Sequence, residues 1–271
     1  MSEHQTVINT PEVRTRQTLA RDLIELGLRP GFTVIVHSSL SSLGWVSGGP
    51  VAVIQALMDV VTPEGTIVMP AHSGDYSDPQ FWANPPVPPE WRPVIMATMP
   101  AFEPQITPTR GIGKIPETFR SFPGVIRSSH PAVSFTAWGN NAVYITSNHS
   151  LDNSLSELSP LARIYDLDGY VLLLGAGYGS NTSFHLAEYR APGYKNVKAG
   201  APILENGVRV WKEYLDIEFD VDPFPAIGLD FEKENPVSRG KVGSAETRLF
   251  KQRKAVDFAT QWLERNRKVT T

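Results

Sequence analysis

The sequence has no cysteine among its 271 residues. This absence excludes disulfide bonds, zinc–thiolate and iron–sulfur sites and a cysteine nucleophile, so any chemistry must use oxygen and nitrogen groups or a bound co-substrate. An excess of charge of one sign is also missing: 25 basic side chains stand against 28 acidic ones, a net charge of −3. Nucleic-acid binders normally carry a basic patch or stripe, so we expect no nucleic-acid partner.

Long apolar runs are absent too. No stretch of about 18 consecutive apolar residues occurs, and the first residues, Met1 to Pro11, are polar. The sequence therefore gives no sign of a membrane span or of a secretory signal peptide. We expect a soluble, cytoplasmic protein with no membrane partner, long enough to bury a large core without covalent cross-links.

What the sequence does contain is an alternation of strand and helix patterns. Thr33–Val36 and Thr66–Met69 are short runs typical of buried strands, and a helix predicted over Pro50–Val61 separates them. Such a βαβ unit predicts parallel strands. Gly169–Leu174 is nearly all apolar, as expected for a central strand. We predict an α/β fold with a mixed, largely parallel central sheet and helices on both of its faces.

Further patterns fill in the rest of the chain. Asn206-Gly207 predicts the turn of a β-hairpin, and Tyr214–Val221 alternates like a further strand. Val242–Val269 is expected to form one long amphipathic C-terminal helix. The Pro/aromatic loop, at about residues 70–108, holds ten prolines, which leave little room for a helix. Its aromatic side chains are costly to leave in water, so we expect it to be ordered, within a single domain spanning 1–271.

One predicted helix combines an imidazole with a carboxylate. His185 and Glu188 lie three residues apart and therefore on one face of a helix predicted from about Ser183 to Arg190, beyond the carboxyl end of the central strand. Open α/β sheets bind ligands there. An imidazole near a helix N-terminus resists protonation and can act as a general base, and the carboxylate can orient it or hold a cationic substrate. The same spacing also occurs by chance on helix surfaces, and a metal site is a weaker alternative, because no second close ligand pair appears.

Two segments are suited to a polar co-substrate. The serine-rich segment His37–Gly44 follows the first strand and offers backbone amides and hydroxyl groups, without the G-x-S-x-G motif of an α/β-hydrolase. The second segment brings four cations within eighteen residues, which suits an anionic cofactor tail or a solvated basic face. These cations are Arg110, Lys114, Arg120 and Arg127. The glycine run Gly175–Gly179 fits a tight turn better than a dinucleotide site.

Seven short segments, in a fixed order, carry a family resemblance. They are Val36–Gly44, Phe102 with Thr107–Thr109, Gly113–Arg120, Arg127–Pro131, Ser159-Pro160, Leu172–Gly175 and Thr182–Glu188. Each is short, but together and in this order the chain resembles the aminoglycoside 3-N-acetyltransferases, a family distinct from the GNAT acetyltransferases. The resemblance extends more weakly to the end of the chain.

The resemblance implies transfer of an acetyl group from acetyl-CoA to the 3-amino group of a 2-deoxystreptamine aminoglycoside, a cationic aminosugar antibiotic. His185 matches the family's catalytic histidine and Glu188 its nearby acid. Asp75, Asp152 and Glu188 are implied to face the substrate, and no metal is expected. The residues implied to bind acetyl-CoA are His37, Ser38, Ser39, Leu40, Ser41, Ile112, Gly113, Lys114, Ile115, Phe119, Ser129 and His130.

Several alternatives stay open on the sequence alone. The acceptor could be a different amine metabolite, the chain could bind CoA with little catalysis, and a metal-dependent hydrolase built on His185 and Glu188 is a third reading. A homo-oligomer is also open, since the Pro/aromatic loop and the C-terminal helix could pack against a second copy. Without cysteine, direct transfer between the two substrates is the simplest course of an acetyltransferase reaction.

Overall fold

A mixed β-sheet carries the fold in the computed structural model, which describes residues 3–267. The strands are β1 (Thr33–Ser38), β2 (Thr66–Pro70), β3 (Ile126–Arg127), β4 (Phe135–Gly139), β5 (Tyr170–Leu174), β6 (Asn196–Glu205), β7 (Val208–Ile217), β8 (Ser238–Val242) and β9 (Ala245–Lys251). The α-helices are α1 (Glu3–Ile8), α2 (Arg16–Leu26), α3 (Gly49–Val61), α4 (Arg92–Thr98), α5 (Lys114–Arg120), α6 (Ala142–Thr146), α7 (Pro160–Asp166), α8 (Ser183–Arg190), α9 (Phe224–Glu234) and α10 (Gln252–Asn266). Within the described range, a seven-stranded sheet has the order β3-β4-β2-β1-β5-β9-β8, and β6 and β7 form a separate hairpin.

Parallel pairing is found at the centre of this sheet. Strand β1 pairs in parallel with β2 on one side and with β5 on the other. The outer pairings, β2 with β4, β3 with β4, β5 with β9 and β8 with β9, are antiparallel. The predicted mixed sheet and its βαβ unit are confirmed. Only the middle of the sheet is parallel. A short connection such as the β8–β9 turn can join two antiparallel strands, whereas two parallel strands need a longer crossover.

The alternation of side chains along β1 places helices on both faces of the sheet, as predicted. Val34 and Val36 point to the face covered by α2 and α3, where they pack with residues such as Leu57. Ile35 points to the opposite face, which α7, α8 and α10 cover, and packs in a cluster that includes Phe184. Both clusters are buried, so the sheet's centre is fixed from two sides and α8 has little freedom to move.

Several element boundaries follow local sequence signals. Thr15 caps α2 in a reciprocal pair of hydrogen bonds with Thr18, and Gly27 ends that helix at a φ of 111°, where a side chain would be strained. Helix α8 spans the predicted residues, and Asn206-Gly207 forms the predicted hairpin turn. Local capping and turn chemistry thus fixes these boundaries before tertiary contacts are considered.

Two predictions near the C-terminus are wrong. Tyr214–Val221 is not a separate strand, because its first part, through Ile217, continues β7. Val242–Val269 is not one helix: β9 precedes α10, which ends at Asn266, and Val269 lies outside the described residues. The apolar residues of β9 were misread as a helical face, whereas hydrogen bonds to the open edge of β5 make this segment a strand. Helix α9 was not predicted.

The Pro/aromatic loop is mostly irregular, as predicted, with short 3-10 turns and the seven-residue helix α4, whose proline lies in the first turn. The loop is anchored where the amide of Phe102, a buried residue, donates to the carbonyl of Pro202 on β6 at 2.9 Å. Phe81 and Trp91 are more than half exposed, so burial of aromatic side chains holds only part of this loop in place.

Gly228 of α9 provides a test of how tightly the fold holds the connection from β5 to α8. A Cβ at this position would overlap the ring of Tyr178, a buried residue of that connection whose hydroxyl donates to Glu232 at 2.9 Å. Because this Cβ would lie well inside van der Waals distance of a ring carbon, the cost of overpacking is in the upper part of its usual range, about 2–3 kcal/mol, and alanine regains about 1 kcal/mol of helix propensity over glycine. We expect Gly228→Ala to lower the free energy of unfolding by about 1–2 kcal/mol in urea denaturation.

Gly177→Ala is the matched control, since Gly177 lies in the same connection and a Cβ there meets no atom within 4 Å. Its free energy of unfolding should stay within about 0.5 kcal/mol of the wild-type value. A Gly228→Ala protein as stable as this control would show that Tyr178 is not tightly held.

Candidate active site

The carboxyl ends of the three central strands meet at one edge of the sheet. Their register places Ser38, at the end of β1, opposite Leu174, at the end of β5, and the amide of Ser39 donates to the carbonyl of Leu174 at 3.0 Å. The connections that leave these ends border a cleft of about 780 Å³. Ligands of open α/β sheets bind in this position, so the cleft is the primary candidate for a binding site.

The two co-substrate segments predicted from the sequence border this same cleft. The predicted residues that line it are His37, Ser38, Ser39, Leu40, Ser41, Ile112, Gly113 and Lys114. The segments adjoin at Gly113, where a Cβ would lie 4.0 Å from the carbonyl oxygen of Ser38. The fold therefore brings together residues that are more than seventy positions apart in the sequence.

Four other predicted co-substrate residues do not line the cleft. Ile115 and Phe119 lie on the inner face of α5 and are buried in the core with α3. His130 is buried against the ring of Tyr214, and its neighbour Ser129 is exposed. These residues shape the surroundings of the cleft rather than its surface.

The cations of the second co-substrate segment differ in whether they are already paired within the protein. Arg127 donates to the carbonyls of Ala71 and Thr107 at 2.6 and 2.5 Å, and burial lowers its pKa to about 10, so it clamps the Pro/aromatic loop to the sheet. Arg120 pairs with Glu117 at 2.6 Å. Lys114 is exposed and lines the cleft, and no ion pair engages it among residues 3–267. Of this cluster, Lys114 is the cation best placed to meet an anionic ligand.

His185, in the first turn of α8, and Glu188, one turn later, form a buried pair. The Nδ1 atom of His185 lies 2.5 Å from Oε2 of Glu188, and the two side chains are 10% and 0% exposed. A carboxylate only accepts hydrogen bonds, so Nδ1 donates in this contact, and in the neutral form of the ring the lone pair is on Nε2. The ring packs against Phe219 and Phe224, with centroids 4.7 and 5.0 Å away, which fixes its plane.

The pair lies one helical turn from the cleft wall. Thr182 lines the cleft, and its carbonyl accepts the amide of His185 at 3.0 Å. Glu188 faces inward: its Oε1 accepts the amide of Asp220 at 2.9 Å and faces a guanidinium nitrogen of Arg267 at 3.4 Å. A carboxylate with no exposure and three partners is held in place beside the imidazole, and it has no surface to offer directly to a polycation.

The cleft also contains two neutral imidazoles. Burial, and then the proximity of His185, lowers the pKa of His37 to about 3, and the same two causes dominate in lowering the pKa of His72 to about 3. In each ring Nε2 is buried without a hydrogen-bond partner in the described part of the chain. Sequence reasoning missed His72, although it follows the end of β2 much as the serine loop follows β1.

The other two predicted substrate acids each have a partner of their own. Asp75 faces Arg110 at 3.6 Å in a 3-10 turn of the Pro/aromatic loop. Asp152 is exposed and accepts the amide of Leu215 on β7 at 2.8 Å. Neither of these two residues lines the cleft.

A buried polar chain behind α8 was also missed. His149 bridges the hydroxyl of Ser128 at 2.9 Å and the carbonyl of Ser154 at 2.6 Å. The hydroxyl of Ser154 donates to Asp216 at 2.6 Å, and the hydroxyl of Tyr189 on α8 donates to the same carboxylate. Burial raises the pKa of Asp216. These bonds tie α8 to the end of the hairpin and to the loop before α7.

Comparison with known proteins identifies the family. The family model described as aminoglycoside 3-N-acetyltransferase matches residues 35–264, which include both co-substrate segments, His185 and Glu188. The chain belongs to this family. Members of the family are acetyltransferases that use acetyl-CoA as co-substrate, so the predicted family, enzyme class and co-substrate are confirmed.

Three similar proteins illustrate the match. The SPbeta prophage-derived aminoglycoside N(3')-acetyltransferase-like protein YokD of Bacillus subtilis is 54% identical over 96% of both chains, and its crystal structure matches with a TM-score of 0.96 over 97% of this chain and 98% of that one. The binary complex of AAC-IIIb with CoASH matches at 32% identity and a TM-score of 0.84, covering 96% and 99% of the two chains. AAC-VIa bound to sisomicin matches at 30% identity and a TM-score of 0.85, covering 94% and 98%.

Two kinds of feature are absent from residues 3–267. No helix there has the length and apolar character needed to cross a membrane. No group of three or more His, Cys, Asp or Glu side chains in that range is arranged to hold a metal ion.

The buried histidines predict how stability depends on pH. Burial is the first cause that holds the pKa of each of His37, His72, His130 and His149 below the ordinary value of 6.5, with His149 at about 4. Below pH 6.5 the unfolded chain therefore binds more protons than the native protein, and stability falls as the pH falls. Between pH 6.5 and its pKa in the folded protein, each histidine contributes about 1.4 kcal/mol per pH unit to the slope of the free energy of unfolding against pH.

Urea denaturation at several pH values between 7.5 and 4.5 measures this slope. His149→Gln should reduce it by about 1.4 kcal/mol per pH unit, whatever its effect on stability at pH 7.5. His4→Gln is the control, because His4 is exposed on α1, and it should leave the slope unchanged. A slope that His149→Gln does not change would show that this histidine titrates alike in both states.

Proposed function

We propose that the protein transfers the acetyl group of acetyl-CoA directly to the 3-amino group of a 2-deoxystreptamine aminoglycoside, with His185 as general base. The observation that carries the proposal is the buried contact of 2.5 Å between His185 and Glu188, one helical turn from the cleft at the carboxyl edge of the sheet. An oriented imidazole with a free Nε2 lone pair is the group that amine acylation requires.

The cleft suits the pantetheine and diphosphate of CoA. Buried polar atoms without partners line it at Nε2 of His37, Oγ of Ser38 and Oγ1 of Thr182, in the described part of the chain. Such atoms are costly to leave unpaired, and the amides and carbonyls of a pantetheine arm can satisfy them. Exposed Lys114 can neutralise phosphate charge at the same cleft. The CoASH complex of AAC-IIIb supports this assignment.

The base is needed because an aliphatic amine is mostly ammonium at neutral pH and cannot attack a thioester in that form. In the proposed step the ammonium first loses one proton to solvent and the free amine attacks the thioester carbon. Nε2 of His185 takes the second proton that the nitrogen loses, the carbon–sulfur bond breaks, and CoA leaves as the thiolate, which the imidazolium of His185 then protonates. Glu188 accepts the hydrogen bond from Nδ1 and thereby stabilises the imidazolium that forms when Nε2 is protonated. The atoms and charges balance with no further reactant.

The thioester oxygen gains negative charge during the attack and needs a hydrogen-bond donor. The hydroxyl of Ser38 and the Nε2–H of neutral His37 are both available at the cleft, and a well-placed donor is worth a few kcal/mol, roughly 3. The pKa of about 3 for His37 suits this role, because the ring stays neutral over the working range of pH. We assign the oxyanion site to this end of β1.

Direct transfer is favoured over a serine-bound intermediate. The hydroxyl of Ser39 interacts with those of Ser41 and Ser42, at 3.4 and 2.9 Å, and the hydroxyl of Ser38 has no partner in the described part of the chain, so none of the four is paired with a base there. The chain also offers no cysteine to carry the acetyl group. A hydroxyl without an adjacent base is a weak nucleophile.

A second candidate is acetyl transfer to a different amine. The positions of Asp75 and Asp152 favour it, because an aminoglycoside carries several positive charges and neither of these predicted carboxylates lines the cleft. The reaction at the thioester would be the same, so only the choice of acceptor separates the two candidates.

Release of free CoA thiol tests both candidates in one assay. The protein contains no cysteine, so every thiol detected comes from CoA. We expect thiol release from acetyl-CoA with sisomicin and other 2-deoxystreptamine aminoglycosides, and mass spectrometry should place one acetyl group on the 3-amino nitrogen. Release with other amines but with no aminoglycoside would support the second candidate. Binding of acetyl-CoA without release would reject both.

His185→Ala tests the assignment of the base. Turnover should fall by roughly 10²- to 10⁴-fold, because the proton of the attacking amine loses its acceptor. The dissociation constant for CoA, measured by calorimetry, should stay near the wild-type value and serves as the control for an intact cleft. Unchanged turnover in this variant would reject His185 as the base.

A further inference from the structure

Arg267, just after the end of α10, reaches the catalytic pair from behind. Its backbone amide donates to the carbonyl of Leu263 at 2.8 Å, and its side chain is 15% exposed. One terminal nitrogen donates to the backbone carbonyl of Glu188 at 3.1 Å, and the other lies 3.4 Å from Oε1 of the same residue. The guanidinium therefore contacts Glu188 at its main chain and at its carboxylate.

Glu188 needs a cation on this side. Its carboxylate is completely buried, and burial of an ionised group without a partner is strongly unfavourable. The backbone amide of Asp220 contributes a hydrogen bond but no charge. Among the described residues, Arg267 and His185 are the basic side chains within ion-pair distance of Glu188. When His185 is neutral, Arg267 is the remaining positive charge in contact with Glu188.

We propose that Arg267 is a positioning residue that compensates the charge of Glu188 while His185 is neutral and thereby sets the pH range in which His185 acts as a base. The inference rests on the proposed function, because it assigns a role relative to His185. Arg267 lies beyond residues 35–264, the segment that the family model matches.

The surroundings of His185 leave few other charges to set its protonation. Its own helix contributes Glu188, and the residue after α10 contributes Arg267. His37 at the end of β1 and His72 after β2 face it as neutral rings, each with a pKa of about 3. Asp216 on β7 is bound to the hydroxyls of Ser154 and Tyr189. The rings packed against the imidazole are those of Phe219 and Phe224.

The direction of the effect follows from charge. The anion of Glu188 favours the imidazolium form of His185, and the cation of Arg267 opposes it. Without the cation, more of the enzyme carries imidazolium at a given pH. Since only neutral imidazole can accept the proton of the amine, activity should then appear at higher pH.

The experiment is a pH profile of kcat/KM for Arg267→Gln, at low ionic strength and with the acceptor amine that gives thiol release. We expect the acid limb to move to higher pH by about one unit. Arg265→Gln is the matched control, because Arg265 is an exposed arginine two residues earlier whose Nε donates to the carbonyl of Gln261. The Arg265→Gln variant loses the same charge and should keep the wild-type pH profile. An Arg267→Gln profile that superposes on that of Arg265→Gln would overturn the inference.

Arg267→Lys separates charge from packing, and it serves if the glutamine variant does not fold. Lysine keeps the cation but not the two-pronged contact with Glu188, so the acid limb should stay near the wild-type position while kcat falls. If the pH profile of Arg267→Lys is displaced as far as that of Arg267→Gln, the role of charge is contradicted. His185→Ala in the same series distinguishes the two levels: if it retains full activity, the proposed function fails, whereas loss of its activity together with an unmoved Arg267→Gln profile rejects the inference alone.

Discussion

The buried carboxylate of Glu188 is the constraint on which the site depends. A carboxylate with no exposed surface must satisfy every lone pair and compensate its charge, and here an imidazole, a backbone amide and a guanidinium do so. These partners come from α8 itself, from the segment after β7 and from the end of α10. One carboxylate therefore links three parts of the chain and holds Nδ1 of His185, so the geometry of the base is built into the packing of the fold.

The sheet determines where this pair meets a ligand. Parallel pairing of β1 with β2 and β5 brings three strand ends to one edge, and the connections after them form the cleft. Antiparallel strands complete the sheet without adding to that edge of the cleft. The imidazoles of His37 and His72 remain neutral there because burial and the proximity of His185 disfavour their charged forms. The cleft can thus provide hydrogen bonds without adding positive charge beside the base.

Local sequence patterns predicted those elements whose boundaries depend on neighbouring residues in the chain. The boundaries of α8, the hairpin turn at Asn206-Gly207 and the βαβ unit follow from capping, turn and alternation rules. The strand β9 could not be recognised in the same way, because the edge of β5 that makes it a strand lies more than seventy residues away in the sequence. Tertiary hydrogen bonding overrode the helical pattern there.

In the candidate site, too, contacts within one element were predictable and contacts between distant elements were not. The spacing of His185 and Glu188 was sufficient to predict their contact, since both lie on one helical face. The contributions of His72 and Arg267 depend on which strand ends and helix ends meet in space, and no local pattern encodes them. The family resemblance implies that Asp75 and Asp152 face the substrate, and no local pattern could predict their partners in the fold, which are Arg110 and the amide of Leu215.

The most direct test of the central claim is a crystal structure of the ternary complex with CoA and an aminoglycoside. The 3-amino nitrogen should lie within about 3.2 Å of Nε2 of His185, directly or through one water molecule, with the CoA sulfur in the cleft beside His37. An amino group beyond the reach of Nε2, with CoA bound outside the cleft, would contradict the assignment of His185 as the base.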